Sequence, residues 1–205
     1  ITRFLSTARA TVGRKPLSLV CAGILAAAGI VSHAFVFGTP TGCVSARNAA
    51  RAYFSETYAQ DAVQVGKTFY DPFAHRCEST VFFTDGESGK TVRARFYREG
   101  TSVFDGYRAY YEARLLSQRR DEVTLFLSER FPEYVFTVEG VSIDTERTLD
   151  ETSTVEEFQK NMTFSVTFYT QFADNTEFEA VCARMREALP VGTLVFVAAE
   201  NQNAP

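Results

Sequence analysis

The stretch Pro16 to Phe37, PLSLVCAGILAAAGIVSHAFVF, most constrains this chain. It contains no charged residue, and His33 is its only strongly polar member. A bilayer core needs roughly 20 apolar helical residues to be crossed. The sequence therefore predicts one transmembrane helix over residues 16–38, after a basic segment 1–15 and before a soluble domain 39–205. The predicted fold class is α+β, with a single soluble domain, a mainly antiparallel sheet and about two helices after the N-terminal span.

Charge divides the chain in the same way. The net charge of −4 conceals Arg3, Arg9, Arg14 and Lys15 in an acid-free start. Removing those four from the 21 basic residues leaves 17 against 25 acidic ones, a net of −8 for the remainder. An acidic domain lacks the positive field that phosphate binding needs, so a nucleic-acid partner is not expected. The start, ITRFLSTARATVGRK, is also rich in Ser and Thr. On a helix Phe4, Ala8 and Val12 line one side, as in a mitochondrial targeting segment. The competing reading is the ordinary basic flank of a membrane helix. With no initiator Met, the start is either processed or incomplete. The positive-inside rule puts the N-terminus in the matrix and the domain in the intermembrane space of a mitochondrion. In a secretory membrane the same rule gives a cytosolic tail and a lumenal domain.

Within the span, Ser18, Ala22, Ala26, Gly29 and Ser32 form a face of small residues. Such faces let helix backbones approach, which predicts docking against other membrane subunits within the lipid. His33 lies near the far end of the span, where hydrogen bonding at the interface outweighs a cofactor role.

The soluble part begins with helical spacing over Ser45 to Gln64, with Thr41 or Ser45 as its cap. The runs STVFFTD and TVRARFYRE, separated by Gly86 to Lys90, read as a hairpin. Val92, Ala94 and Phe96 should face inward and Arg93 and Arg95 outward. YRAYYEARLL, residues 107–116, fits both helix and strand. The strand is preferred because turn residues flank it, and EVTLFLSE and YVFTVEGVSI then continue a meander. Residues 144–160 form an acidic, hydroxyl-rich loop with a short helix at 155–160. That loop is either a solvated surface or a landing patch for a basic soluble partner. The last segment is predicted as β-α-β: TFSVTFYTQF, a helix capped by Asp174 or Asn175, and TLVFVAA.

Chemistry is sparse. There is no P-loop, GxGxxG, HExxH, GxSxG or EF-hand pattern, so no catalytic, cofactor-binding or metal residues are assigned. Only His33 and His75 are available for metal or triad chemistry. His75 and Cys77 with Cys43 make a poorly spaced ligand set, and a surface-loop histidine is the stronger reading. Cys43 and Cys77 can form a disulfide if the domain faces an oxidising space. The competing reading for Cys43, Cys77 and Cys182 is free thiols behaving as small hydrophobes. Asn161-Met162-Thr163 is a glycosylation sequon with meaning only in a secretory lumen.

Asp61 with Val65-Gly66 falls at a predicted helix end. Gly89 precedes the alternating Val92, Ala94 and Phe96, and Gly100 and Gly106 precede Tyr107, Ala109 and Tyr111. Over Ala46 to about Ile143 this pattern resembles mitochondrial single-span proteins of the Tim-twenty-one and cytochrome c oxidase assembly factor one type. The resemblance implies a helix followed by an antiparallel sheet in the intermembrane space, with an assembly or accessory role and no catalysis. The function expected is therefore that of an accessory subunit of an inner-membrane respiratory complex. The alternatives are an assembly or import factor and a membrane-tethered enzyme or ligand-binding domain.

Overall fold

The computed structural model describes residues 20–33, 38–58, 62–189 and 192–198. The fold is α+β with two sheets. Its helices are residues 20–33 (α1), Pro40–Thr57 (α2), Gly106–Arg130 (α3), Val155–Phe158 (α4) and Asn175–Ala188 (α5). The strands are Gln64–Asp71 (β1), Arg76–Thr84 (β2), Thr91–Glu99 (β3), Ser102–Asp105 (β4), Phe136–Ile143 (β5), Met162–Phe168 (β6) and Thr193–Ala198 (β7). One sheet has the order β1-β2-β3-β4, the other β5-β6-β7. The chain divides into two compact units. The first comprises, among the described residues, those up to Tyr53, Val65–Thr80 and Arg95–Phe104. The second comprises Phe54–Gln64, Val81–Ala94 and Asp105 onward.

The expected transmembrane helix is corrected. Among the described residues no helix is long and apolar enough to cross a membrane. The helical residues described in that stretch are 20–33. The remainder of the predicted span, at 16–19 and 34–37, lies outside the described residues, as does the basic segment 1–15.

In the first unit α2 begins earlier than its spacing suggested. The Thr39 hydroxyl accepts the Gly42 N–H at 3.1 Å, and the Thr39 carbonyl accepts the Cys43 N–H. Thr39 is thus the cap, and Pro40 stands at the first helical position, where its missing N–H costs nothing. The predicted cap residues Thr41 and Ser45 lie inside the helix. The helix stops at Thr57, and residues 64–71, expected to end a helix, form β1. In β3 the expected alternation is present: Phe96 is buried and Arg93 and Arg95 are exposed.

The second unit contains the largest correction. The predicted strands at 107–116 and 122–129 are one helix, α3. Asp105 starts it: its carboxylate accepts the backbone N–H groups of Tyr107 at 2.9 Å and Arg108 at 3.2 Å. The Tyr58 hydroxyl also donates to Asp105. Tyr107, Tyr111, Leu115, Val123 and Leu127 are buried along one helical stripe. Phe83 meets the edges of Tyr107 and Tyr110 with ring centroids 4.8 and 5.3 Å apart.

The second sheet is mixed. β5 and β6 pair antiparallel, with an irregularity between Gly140 and Ser142, and β6 and β7 pair parallel. α5 connects that parallel pair, as the β-α-β reading required. Asp174 caps α5 by accepting the Glu177 N–H at 2.9 Å. On β6, Met162, Phe164, Val166 and Phe168 are all buried, alternating with half-buried Thr163, Ser165 and Thr167.

Candidate functional site

The second unit carries an acid-lined groove of about 550 Å³. α3 contributes Arg114, Gln118 and Glu122, the loop after β2 contributes Glu87, and the segment before α4 contributes Glu151 and Glu156. Four carboxylates and one guanidinium line the groove, and Glu122 is paired with Arg119.

Each supporting loop is locally pinned. After β2, Asp85 accepts the Ser88 N–H at 2.9 Å on its side chain and the Gly89 N–H at 2.8 Å on its carbonyl. Gly89 makes this turn with φ +65°, a conformation that suits glycine. Arg114 reaches Asp85 at 3.5 Å and Glu87 at 3.9 Å. Hydrogen bonds from Ser88, with the nearby Arg114 charge, hold the Asp85 carboxyl below its ordinary value.

The acidic segment 144–160 is likewise ordered. Leu149 and Phe158 are buried, and Arg147 pairs with Glu157 at 3.0 Å while lying over the Phe158 ring. Thr154 and Glu157 form a capping box at the start of α4. The Thr154 N–H and Arg147 keep the Glu157 carboxyl low. The expected short helix at 155–160 is therefore present, as α4 followed by a 3-10 turn over Gln159–Asn161. Chemically the groove suits cationic side chains.

Of the other residues singled out in the sequence, Cys43, His75 and Cys77 lie in the first unit, and Cys182 and Asn161 in the second. Cys43, in the first turn of α2, and Cys77, on β2, come together with their Sγ atoms 2.7 Å apart. The Tyr70 hydroxyl lies 3.2 Å from Nδ1 of His75, which takes φ +52° in the turn between β1 and β2. At that turn Asp71 accepts the N–H groups of Ala74 and Phe73, which lowers its pKa, and Phe73 is 95% exposed. Among the described residues no group of three or more His, Cys, Asp or Glu side chains is placed to hold a metal. Of the small-residue face, Ala22, Ala26, Gly29 and Ser32 lie on α1 and are exposed, and Ser18 lies outside the described residues.

Sequence reasoning missed the first unit's buried carboxylate. Glu78 is 1% exposed. Its Oε1 accepts from Arg76 Nε at 3.2 Å and Nη2 at 3.1 Å, and its Oε2 lies 3.5 Å from Arg95 Nη1. Arg76 also pairs with Glu99 at 3.0 Å and stacks 3.5 Å above the Tyr97 ring. Arg95, read as part of a solvated sheet face, thus has a buried carboxylate as its partner. The available signal was Arg76-x-Glu78 on one strand and Arg95-x-Tyr97 on its neighbour. That pattern speaks only once the strands are known to pair.

Comparison with protein-family models, with characterised proteins and with solved structures finds no match to this chain. The class defined by the fold is that of an α+β chain of two compact units with an ordered acidic groove.

Proposed function

We propose that this chain is a non-catalytic accessory subunit of a mitochondrial inner-membrane respiratory complex, held there by contacts with other subunits. The observation that carries this reading is α1. All of its described residues are exposed, and Val20, Ile24, Leu25, Ile30 and Val31 are 58% to 72% exposed. An apolar element uncovered by its own chain marks a surface that another molecule covers. The occupant is an apolar helix of a neighbouring subunit. Ala22, Ala26 and Gly29 allow close backbone approach, and a Cβ built on Gly29 meets nothing within 4 Å. The acid-free basic start supplies the mitochondrial address. The groove between Glu87, Glu122, Glu151 and Glu156 adds a landing place for a basic soluble partner.

The test is native electrophoresis of gently solubilised mitochondrial membranes, with mass spectrometry of each band. Stoichiometric presence in a respiratory complex is the expected outcome. Substoichiometric presence confined to incomplete complexes would replace the subunit reading with an assembly factor. Migration as a free chain, or a glycan on Asn161, would overturn the proposal.

A further inference from the structure

Cys43 and Cys77 are separated by 34 positions in sequence, yet their sulfurs stand 2.7 Å apart. Both belong to the first unit, one at the start of α2 and one at the start of β2. Neither is part of a metal-ligating group among the described residues. A disulfide requires two side chains that point at each other from backbones already at bridging distance. Here the fold has brought the sulfurs to that arrangement while both remain thiols.

We propose that Cys43 and Cys77 are a disulfide pair that, when oxidised, staples α2 to β2. The reaction needs a disulfide oxidant such as oxidised glutathione. The thiolate of one cysteine attacks a sulfur of that oxidant, forming a mixed disulfide and expelling one glutathione thiolate. The second cysteine then loses its proton and attacks the mixed disulfide at the protein sulfur. The Cys43–Cys77 bond forms and the second glutathione thiolate leaves. Two protein thiols are oxidised by two electrons, and one small disulfide is reduced to two thiols.

The thiol environment favours a structural staple over a catalytic one. Burial, together with the neighbouring Cys43, pushes the Cys77 thiol up to about 12. A strongly oxidising disulfide has a reduced form stabilised as thiolate. At Cys77 the environment does the opposite and favours the neutral thiol.

Trypsin cleaves after Arg47 and Arg76, which separates Cys77 from the peptide that carries both Cys21 and Cys43, and fragmentation of the cross-linked product assigns the bond to Cys43 or Cys21. The full chain is reduced, incubated with oxidised glutathione, alkylated under denaturing conditions and digested. The expected product is one cross-linked peptide joining Cys43 to Cys77, lighter by two hydrogen atoms than the sum of the free peptides, with Cys182 and Cys21 alkylated. Closing a loop of this length constrains the unfolded chain, so the oxidised protein should melt on the order of 10 °C higher than the reduced one. Cys43→Ser should abolish that redox-dependent difference. The comparison within the wild-type chain stands even if the variant folds poorly. Alkylation of both Cys43 and Cys77 after the oxidant, or a cross-link from either to Cys182, would overturn the proposal.

Discussion

Gly140 of β5 packs so tightly on Leu116 of α3 that a Cβ built on the glycine would stand 2.7 Å from the leucine Cβ. This contact holds the second unit's longest helix against its sheet, and the neighbouring register irregularity between Gly140 and Ser142 accommodates it. The first prediction follows directly. Gly140→Ala should lose about 1–3 kcal/mol through overpacking, despite alanine's lower entropy cost. Urea denaturation at constant m-value measures it. Pairing the change with Leu116→Ala should relieve only part of the clash, because alanine keeps the Cβ at 2.7 Å and removes only the Cγ and Cδ2 atoms at 3.3 Å.

Asp105 holds the first turn of α3 by accepting from Tyr107, Arg108 and the Tyr58 hydroxyl. Asp105→Ala should therefore destabilise the second unit by about 1–2 kcal/mol, whereas Asp105→Asn, an equally good cap, should retain most of that. Equal losses in chemical denaturation would show that capping is not the reason for the residue.

Glu78 is buried between two guanidinium groups that themselves reach solvent. Removing one partner of a fully buried pair costs about 3–5 kcal/mol. The exposure of Arg95 discounts this through solvent screening to about 1–3 kcal/mol for Glu78→Ala. Glu78→Gln, which keeps an acceptor for Arg76, should lose less. Thermal melts of the two variants separate the hydrogen-bond contribution from the charge.

Acid should weaken the fold through Asp85. Its folded pKa is depressed below the ordinary 3.8, chiefly by the Ser88 hydrogen bonds. The folded state therefore binds fewer protons than the unfolded chain, and stability rises with pH across that window. This contribution is fully present above the ordinary value and is lost as pH falls from there through the lower folded value. Denaturation midpoints of wild type and Asp85→Asn should converge on acidification. Curves that stay parallel from neutral pH through that window would remove Asp85 from the account.

Sequence legibility varied with the kind of pattern. The β6–α5–β7 segment was readable because Phe164, Val166 and Phe168 alternate and Asp174 stands immediately before the helix. α3 was not, for a definite reason. Tyr107, Tyr111 and Leu115 recur every four residues, and four is both a multiple of the strand period and close to one helical turn. The strand reading also required Ala113 to be buried, and it is exposed. In the candidate groove, the acidity of 144–160 was visible, but its juxtaposition with Glu87 and Glu122 was not.

The sequence by itself determined the basic start, the acidity of the remainder, the alternation of β3 and β6 and the final β-α-β order. Each of these is set by backbone periodicity or by residues a few positions apart. Only the tertiary structure decided that the strands divide between two sheets, that Glu78 lies buried under Arg76 and Arg95, and that the sulfurs of Cys43 and Cys77 meet. Those outcomes depend on which faces bury against one another across tens of residues, and local geometry carries no record of that choice.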